Sequence, residues 1–183
     1  KILYALSNFM TMENYIINLI LKQKIISEKK LDVIKRQASC KYKSPIPTNI
    51  KLLTSYHKLI SSNKLKPSIV LENILKTRKI RTLSGIAAIT VITKPYPCPG
   101  ECLYCPQEKD MPKSYLANEP ACMRAVLTKF DPYKQTKARL DSLTMTGHKT
   151  DKIELIVLGG TWSYYDKKYQ EWAVNHIWIG DNK

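Results

Sequence analysis

The sequence lacks a membrane-length apolar run, and its first half is nearly without acids. No apolar stretch approaches the ~20 residues a helix needs to cross a bilayer, so no membrane association is expected. The short apolar opening, Lys1–Leu6, is followed by no small-residue cleavage site, which argues against a secretory leader. The first residue is lysine, so the natural start is expected at Met10 or Met12, or the chain is a fragment. Cysteine is scarce: five in 183 residues, three of them in one octapeptide. That distribution does not fit the spread pairs of a disulfide-stapled secreted scaffold. With no export signal, the expected compartment is the cytoplasm.

The missing acids leave a lopsided charge. Residues 1–97 carry 18 basic and 4 acidic side chains, whereas residues 98–183 carry 12 and 11, so almost all of the formal +15 lies in the first half. Such a field attracts polyanions, nucleic acid first among them. The competing reading is the Lys-, Ile- and Asn-rich composition of an AT-rich genome. That bias raises lysine everywhere but does not by itself empty one half of acids.

The cysteine octapeptide is Cys98-Pro-Gly-Glu-Cys102-Leu-Tyr-Cys105, spaced C-x3-C-x2-C. Three thiolates on one loop can hold three irons of a cubane iron–sulfur cluster. The fourth iron is then open to the amino and carboxylate groups of a small molecule. S-adenosylmethionine offers both, and the spacing is that of radical S-adenosylmethionine enzymes, with Tyr104 as the aromatic beside the adenine. A structural zinc knuckle, and with it a non-catalytic RNA-binding module, competes with this reading. Zinc takes four ligands, usually from two C-x2-C pairs. Only Cys102 and Cys105 form such a pair, so a fourth ligand would have to be recruited from Cys122 or His148. Cys40 and Cys122 otherwise read as buried or half-buried thiols.

Ile16, Ile17, Leu19, Ile20, Ile25 and Ile26 recur at helical spacing within residues 12–38, with a second helix beginning at Glu28. Ser44-Pro-Ile-Pro47 breaks the pattern. Thr48 is an N-cap for a helix carrying Ile50, Leu52, Leu53, Tyr56, Leu59 and Ile60, and Pro67 opens another through Leu75. Residues 1–80 thus read as a basic helical domain, and the charged Lys76–Arg81 leads into residues 81–183. Ile86–Thr93 is a continuous β-branched run, as in a strand covered on both faces. Glu119–Phe130 and Pro132–Met145 read as helices, with Gly147 as a stop, and Ile153–Leu158 as a second buried strand. Asp166–Ile177 is a helix with Tyr169, Trp172 and Ala173 on one side. The order strand, helices, strand, helix predicts a parallel α/β arrangement. The cysteine loop and Gly159-Gly160-Thr161 each leave the carboxyl end of a strand, where barrel folds keep their chemistry. Glycines at such a turn let backbone approach a ligand closely.

Several ordered motifs between about residues 70 and 175 resemble one family. They are Arg81-Thr-Leu-Ser-Gly-Ile-Ala87, Thr93-Lys-Pro-Tyr-Pro-Cys-Pro99, Cys102-Leu-Tyr-Cys-Pro106, Glu119-Pro-Ala-Cys-Met-Arg-Ala125, Phe130-Asp-Pro-Tyr-Lys-Gln-Thr136, Gly147-His148, Asp151-Lys-Ile-Glu154 and Leu158-Gly-Gly-Thr161. The family is the catalytic subunit of Elongator and its single-chain prokaryotic relatives, which build the carboxymethyl-type side chain on the wobble uridine of tRNA. The resemblance implies an α/β fold: a basic N-terminal helical tRNA-binding region, then the first strand–helix units of a radical S-adenosylmethionine, partial TIM-like barrel. The chain reaches Lys183 after about two such units, and the family's acetyltransferase domain is not represented. A full eight-unit barrel takes about 250 residues, so the resemblance implies an N-terminal part, either truncated or split, in the second case with a separate chain supplying the rest.

The resemblance also implies roles. Cys98, Cys102 and Cys105 would hold a four-iron four-sulfur cluster. One-electron cleavage of S-adenosylmethionine would give a 5′-deoxyadenosyl radical that takes a hydrogen from acetyl-CoA. The acetyl-derived radical would add to C5 of uridine, and hydrolysis would leave 5-carboxymethyluridine. Tyr104, Gly159, Gly160 and Thr161 would contact S-adenosylmethionine, although Thr161 stands where radical enzymes of this class carry an acid. Lys152 would contact acetyl-CoA. Arg78, Lys79, Arg81 and Lys94, which flank the cysteine loop, are candidates for tRNA phosphates, with RNA read by shape, backbone and an unstacked base. A radical S-adenosylmethionine enzyme acting on another substrate is the alternative within this chemistry.

Overall fold

The structure, a computed structural model, describes residues 11–23 and 27–181. The expectations placed on Lys1–Leu6, Met10, Ile25, Ile26, Asn182 and Lys183 lie outside the described residues. The chain forms two compact units, one reaching to Leu83 and including Thr144–His148, the other comprising Ser84–Leu143 and the residues from Lys149 on. The sequence reading puts this boundary after residue 80 and gives Thr144–His148 to the second part.

The first unit is helical. It contains α1 (Met12–Lys22), α2 (Glu28–Tyr42), α3 (Asn49–Ser61) and α4 (Ile69–Leu75). Thr11, Ser27 and Thr48 cap the first three, each hydroxyl accepting a backbone N–H three residues on at 3.3 Å. These caps satisfy donors that the first helical turn leaves unpaired. Residues 12–38 are therefore two helices, with the second starting at Glu28. Ile16, Ile17, Ile20, Leu52, Leu53, Leu71 and Leu75 are buried in one core with Tyr56. Each such side chain contributes about 1.5–3 kcal/mol on leaving water. The last helix starts at Ile69 rather than Pro67, because the Tyr56 hydroxyl accepts the Ser68 N–H at 2.6 Å. Gly147 closes the unit at φ +83, and a Cβ there would lie 3.1 Å from Leu53 Cδ1. Cys40 is exposed, contrary to its reading as a buried or half-buried thiol, because it falls on the solvent side of α2.

The second unit holds two parallel strands, β1 (Ala87–Ile92) and β2 (Ile153–Leu158), in the register Ala87↔Ile153 to Ile92↔Leu158. Parallel pairing requires a crossover, and α5 (Pro120–Leu127) and α6 (Pro132–Met145) supply it. After β2 comes α7 (Lys167–Asp181). The reading of both strands as buried on two faces is corrected. Ala88, Glu154 and Val157 are exposed, and no residue of β2 is buried. Ala87, Ile89 and Val91 pack with Leu143 and Ile177, leaving the opposite face partly open. Helix α5 stops at Leu127 rather than Phe130, since Lys129 (φ 54) and Phe130 (φ 57) are left-handed. On α7, Tyr169 and Ala173 are buried, whereas Trp172, read on the same side, is 39% exposed. Among the described residues, no helix is long and apolar enough to cross a membrane.

Candidate functional site

The carboxyl ends of β1 and β2 converge on the cysteine loop. At the end of β1, Gln135 of α6 acts as a surrogate strand. Its Oε1 accepts the Ile92 N–H and its Nε2 donates to the Ile92 carbonyl, each at 2.9 Å. Two phenols then hold the departing chain. Tyr165 donates to the Lys94 carbonyl at 2.8 Å, so the buried Thr93 hydroxyl must be the donor in its 2.8 Å contact with the Tyr165 oxygen. The Tyr169 hydroxyl accepts the Lys94 N–H at 2.9 Å. Burial pushes the Tyr165 and Tyr169 hydroxyls above the usual tyrosine range. They therefore stay protonated and keep these bonds.

From this anchor the chain reaches Cys98, whose Sγ lies 3.2 Å from Thr161 Oγ1. The two segments singled out from sequence, the cysteine loop and the turn after β2, thus meet. The Thr161 hydroxyl and the Gly100 N–H hold the Cys98 thiol below the ordinary range, with Lys113 adding a weaker attraction. Two sulfurs lie together beside Gly100. A Cβ on Gly100 would lie 3.7 Å from Cys102 Sγ and 3.8 Å from Cys98 Sγ. The Cys105 N–H donates to the Cys102 carbonyl at 3.2 Å, which tightens the C-x2-C turn. Among the described residues, no three Cys, His, Asp or Glu side chains are gathered closely enough to ligate a metal together. The Cys98 and Cys102 sulfurs are within 4 Å of the Gly100 Cβ position, and Cys105 is not.

The glycines divide their work. A Cβ on Gly159 would fall 1.7 Å from Thr93 Oγ1 and 3.0 Å from Thr93 Cβ, so this glycine is needed for the strands to approach. Gly160 has nothing within 4 Å of its Cβ position and leaves open space. Tyr104, 94% exposed, stands at the loop tip with Leu103.

Other candidates fall elsewhere. Lys152 is exposed at the amino end of β2, its carbonyl accepting the Ala87 N–H at 2.9 Å. A six-residue strand puts it about 20 Å from Gly159, so the fold does not bring it to the cysteine loop. Lys94 Nζ lies 4.3 Å from the centroid of the Tyr169 ring and 5.5 Å from that of Tyr96, a cation–π arrangement and not a free phosphate contact. Arg78, Lys79 and Arg81 are exposed in the first unit, where Lys79 pairs with Glu28 at 2.6 Å. Of the alternative zinc ligands, Cys122 is buried in the core beside Met111 and Ala125. Its thiol is pushed up to about 11, first by burial and then by Glu119. His148 is buried against Thr82 in the first unit, its Nδ1 2.9 Å from Thr82 Oγ1.

Sequence reasoning misses Gln135, Tyr165, Tyr169 and Lys113 as site residues. Gln135 lies inside the Phe130–Thr136 motif, and a polar residue on the core side of a helix is the available signal for it.

No family model matches this chain. Among curated proteins, it is 39% identical to the tRNA uridine(34) acetyltransferase of Methanocaldococcus infernus over 87% of its own length and 31% of the relative's. It is 46% identical to the protein of the same name from Methanocaldococcus jannaschii, over 57% of this chain and 20% of that one. Human Elongator complex protein 3 matches 56% of the chain at 38% identity, covering 21% of the human protein. The chain spans about a fifth to a third of the length of these relatives. Over that span it is similar to tRNA uridine(34) acetyltransferase and Elongator complex protein 3, matching part of an Elongator catalytic subunit.

Proposed function

We propose that this chain carries the cluster- and S-adenosylmethionine-binding part of an enzyme that modifies the wobble uridine of tRNA. One contact carries the reading. Cys98 and Thr161 meet at 3.2 Å, joining a C-x3-C-x2-C loop to the glycine turn of the neighbouring parallel strand. The relatives' names supply the substrate class. The donor set fits a four-iron four-sulfur cluster: three thiols on one loop, two of them brought together beside Gly100. Cys122 is a poor competitor, because its thiol resists deprotonation.

When bound, the cluster and S-adenosylmethionine supply the one-electron cleavage that starts transfer of an acetyl-CoA-derived carboxymethyl group to uridine C5. The residues of the chain prepare the site. Thr161 stabilises the Cys98 thiolate by hydrogen bonding. Gly160 leaves backbone accessible, and Tyr104 offers an exposed ring to a purine. Tyr165 and Tyr169 fix the start of the loop. Lys152 is proposed as a contact only for a part of acetyl-CoA remote from the loop. Arg78, Arg81 and the basic helical unit are proposed to bind tRNA phosphates, with Lys79 joining them at the expense of its pair with Glu28.

The test is anaerobic reconstitution with iron and sulfide. About four irons per chain are expected, reduced by replacing Cys98, Cys102 or Cys105 with alanine. The electron paramagnetic resonance signal of the reduced protein should change on adding S-adenosylmethionine. Stoichiometric zinc without iron uptake would sink the proposal. Failure to bind tRNA in preference to small metabolites would leave the chemistry and remove the substrate.

A further inference from the structure

The segment after the cysteines folds back over them and brings a cation to their loop. Met111 is buried beside Ile92, Cys122 and Ala125. Ser114 donates its N–H to the Pro106 carbonyl at 3.1 Å, and Ala117 donates its N–H to Glu108 Oε2 at 2.7 Å. Lys113, between these anchors, is half-buried, and its ammonium donates to the Gly100 carbonyl at 2.7 Å. It lines a cavity of about 300 Å³ with Tyr96, Cys98 and Glu108. Among the described residues, no carboxylate lies within 4.0 Å of its nitrogen. The residue whose carbonyl it holds is the one flanked by the Cys98 and Cys102 sulfurs.

We propose that Lys113 is a positioning residue of the cysteine loop. It ties down the Gly100 carbonyl so that the Cys98 and Cys102 sulfurs are held together beside Gly100, and it sets a fixed positive charge near them. The charge half of the proposal rests on the cluster reading above. Thiolate ligation puts negative charge at the loop, and reduction adds one more. A neighbouring cation favours the more negative state, so removing it lowers the reduction potential. Glu101 and Glu108 are exposed and are the same in every variant at position 113. They do not offset the change.

The test compares the full chain with Lys113→Met, Lys113→Gln and Lys113→Arg. Hydrogen exchange of residues 98–105 is read without iron, and iron content and midpoint potential after reconstitution. Lys113→Met is expected to exchange faster in the loop, to load less iron and to show a more negative midpoint. Lys113→Arg should stay close to wild type in all three. Lys113→Gln, which keeps a donor but no charge, separates the tether from the charge. It also carries the test if the methionine variant does not fold. Unchanged loop exchange in both uncharged variants overturns the positioning role, and an unchanged midpoint overturns the charge role. If wild type itself takes up no iron, the cluster reading and the charge role fall together, and loop exchange alone decides the tether.

Discussion

Replacing Gly159 by alanine tests the packing that brings the two strand ends together. The new methyl would sit 1.7 Å from Thr93 Oγ1, 3.0 Å from its Cβ and 3.3 Å from its Cγ2. Rotating Thr93 about χ1 moves the hydroxyl but not Cβ, so part of the clash persists in every rotamer. Thr93 is buried, its N–H donates to the Leu158 carbonyl at 2.8 Å, and its hydroxyl is bonded to Tyr165. Relief therefore requires the strands to part or the Tyr165 bond to break. Overpacking costs about 1–3 kcal/mol and a broken buried hydrogen bond about 1, so Gly159→Ala should destabilise by about 2–4 kcal/mol. Gly160→Ala meets open space and should cost under about 0.5 kcal/mol. All three tryptophans, Trp162, Trp172 and Trp178, belong to the second unit, so urea unfolding followed by tryptophan fluorescence reads that unit by itself. Adding Thr93→Ala to Gly159→Ala should recover part of the loss, a coupling of about 1 kcal/mol. Equal stabilities of the Gly159 and Gly160 variants would refute the close-approach argument.

Three further outcomes are expected. In the iron-free chain, Cys98 lies below the ordinary thiol value of 9.0 and Cys122 rises to about 11. The pH–rate profile for alkylation, followed residue by residue with mass spectrometry, should therefore turn up at lower pH for Cys98, and Thr161→Val should move that profile upward. Gln135→Leu removes both Ile92 bonds at once and should lower the stability of the second unit by about 2–4 kcal/mol; Gln135→Glu, which keeps an acceptor, would also lose the donor half. Neutralising Arg78, Lys79 and Arg81 together should weaken tRNA binding and flatten its log–log salt dependence by roughly 0.7–0.9 for each phosphate no longer neutralised; an unchanged slope would remove these side chains from the interface.

Local pattern reveals the elements and hides their partners. Thr48 announces a helix start because a cap is a three-residue relation. β1 and β2 announce themselves as β-branched runs, but such a run looks alike whether one face or two are covered, and Glu154 is the sign that one face is open. Trp172 sits at the margin of an apolar stripe, and spacing alone cannot tell margin from centre. Thr161 is legible because it follows two glycines at a strand end. Lys113 and Gln135 are not, because each acts on a backbone group 13 or 43 residues away. Lys152 rests on analogy alone, and the strand carries it to the far end.

The Gln135 amide has a consequence for how the sheet can grow. Strand edges recruit other strands through free backbone groups. At Ile92 both groups on the edge away from β2 are already taken, so no strand can zip onto that edge at its carboxyl end. A strand added beside β1 would have to stop short of Ile92. The end of β1 nearest the cysteine loop is thereby closed to backbone pairing on that side.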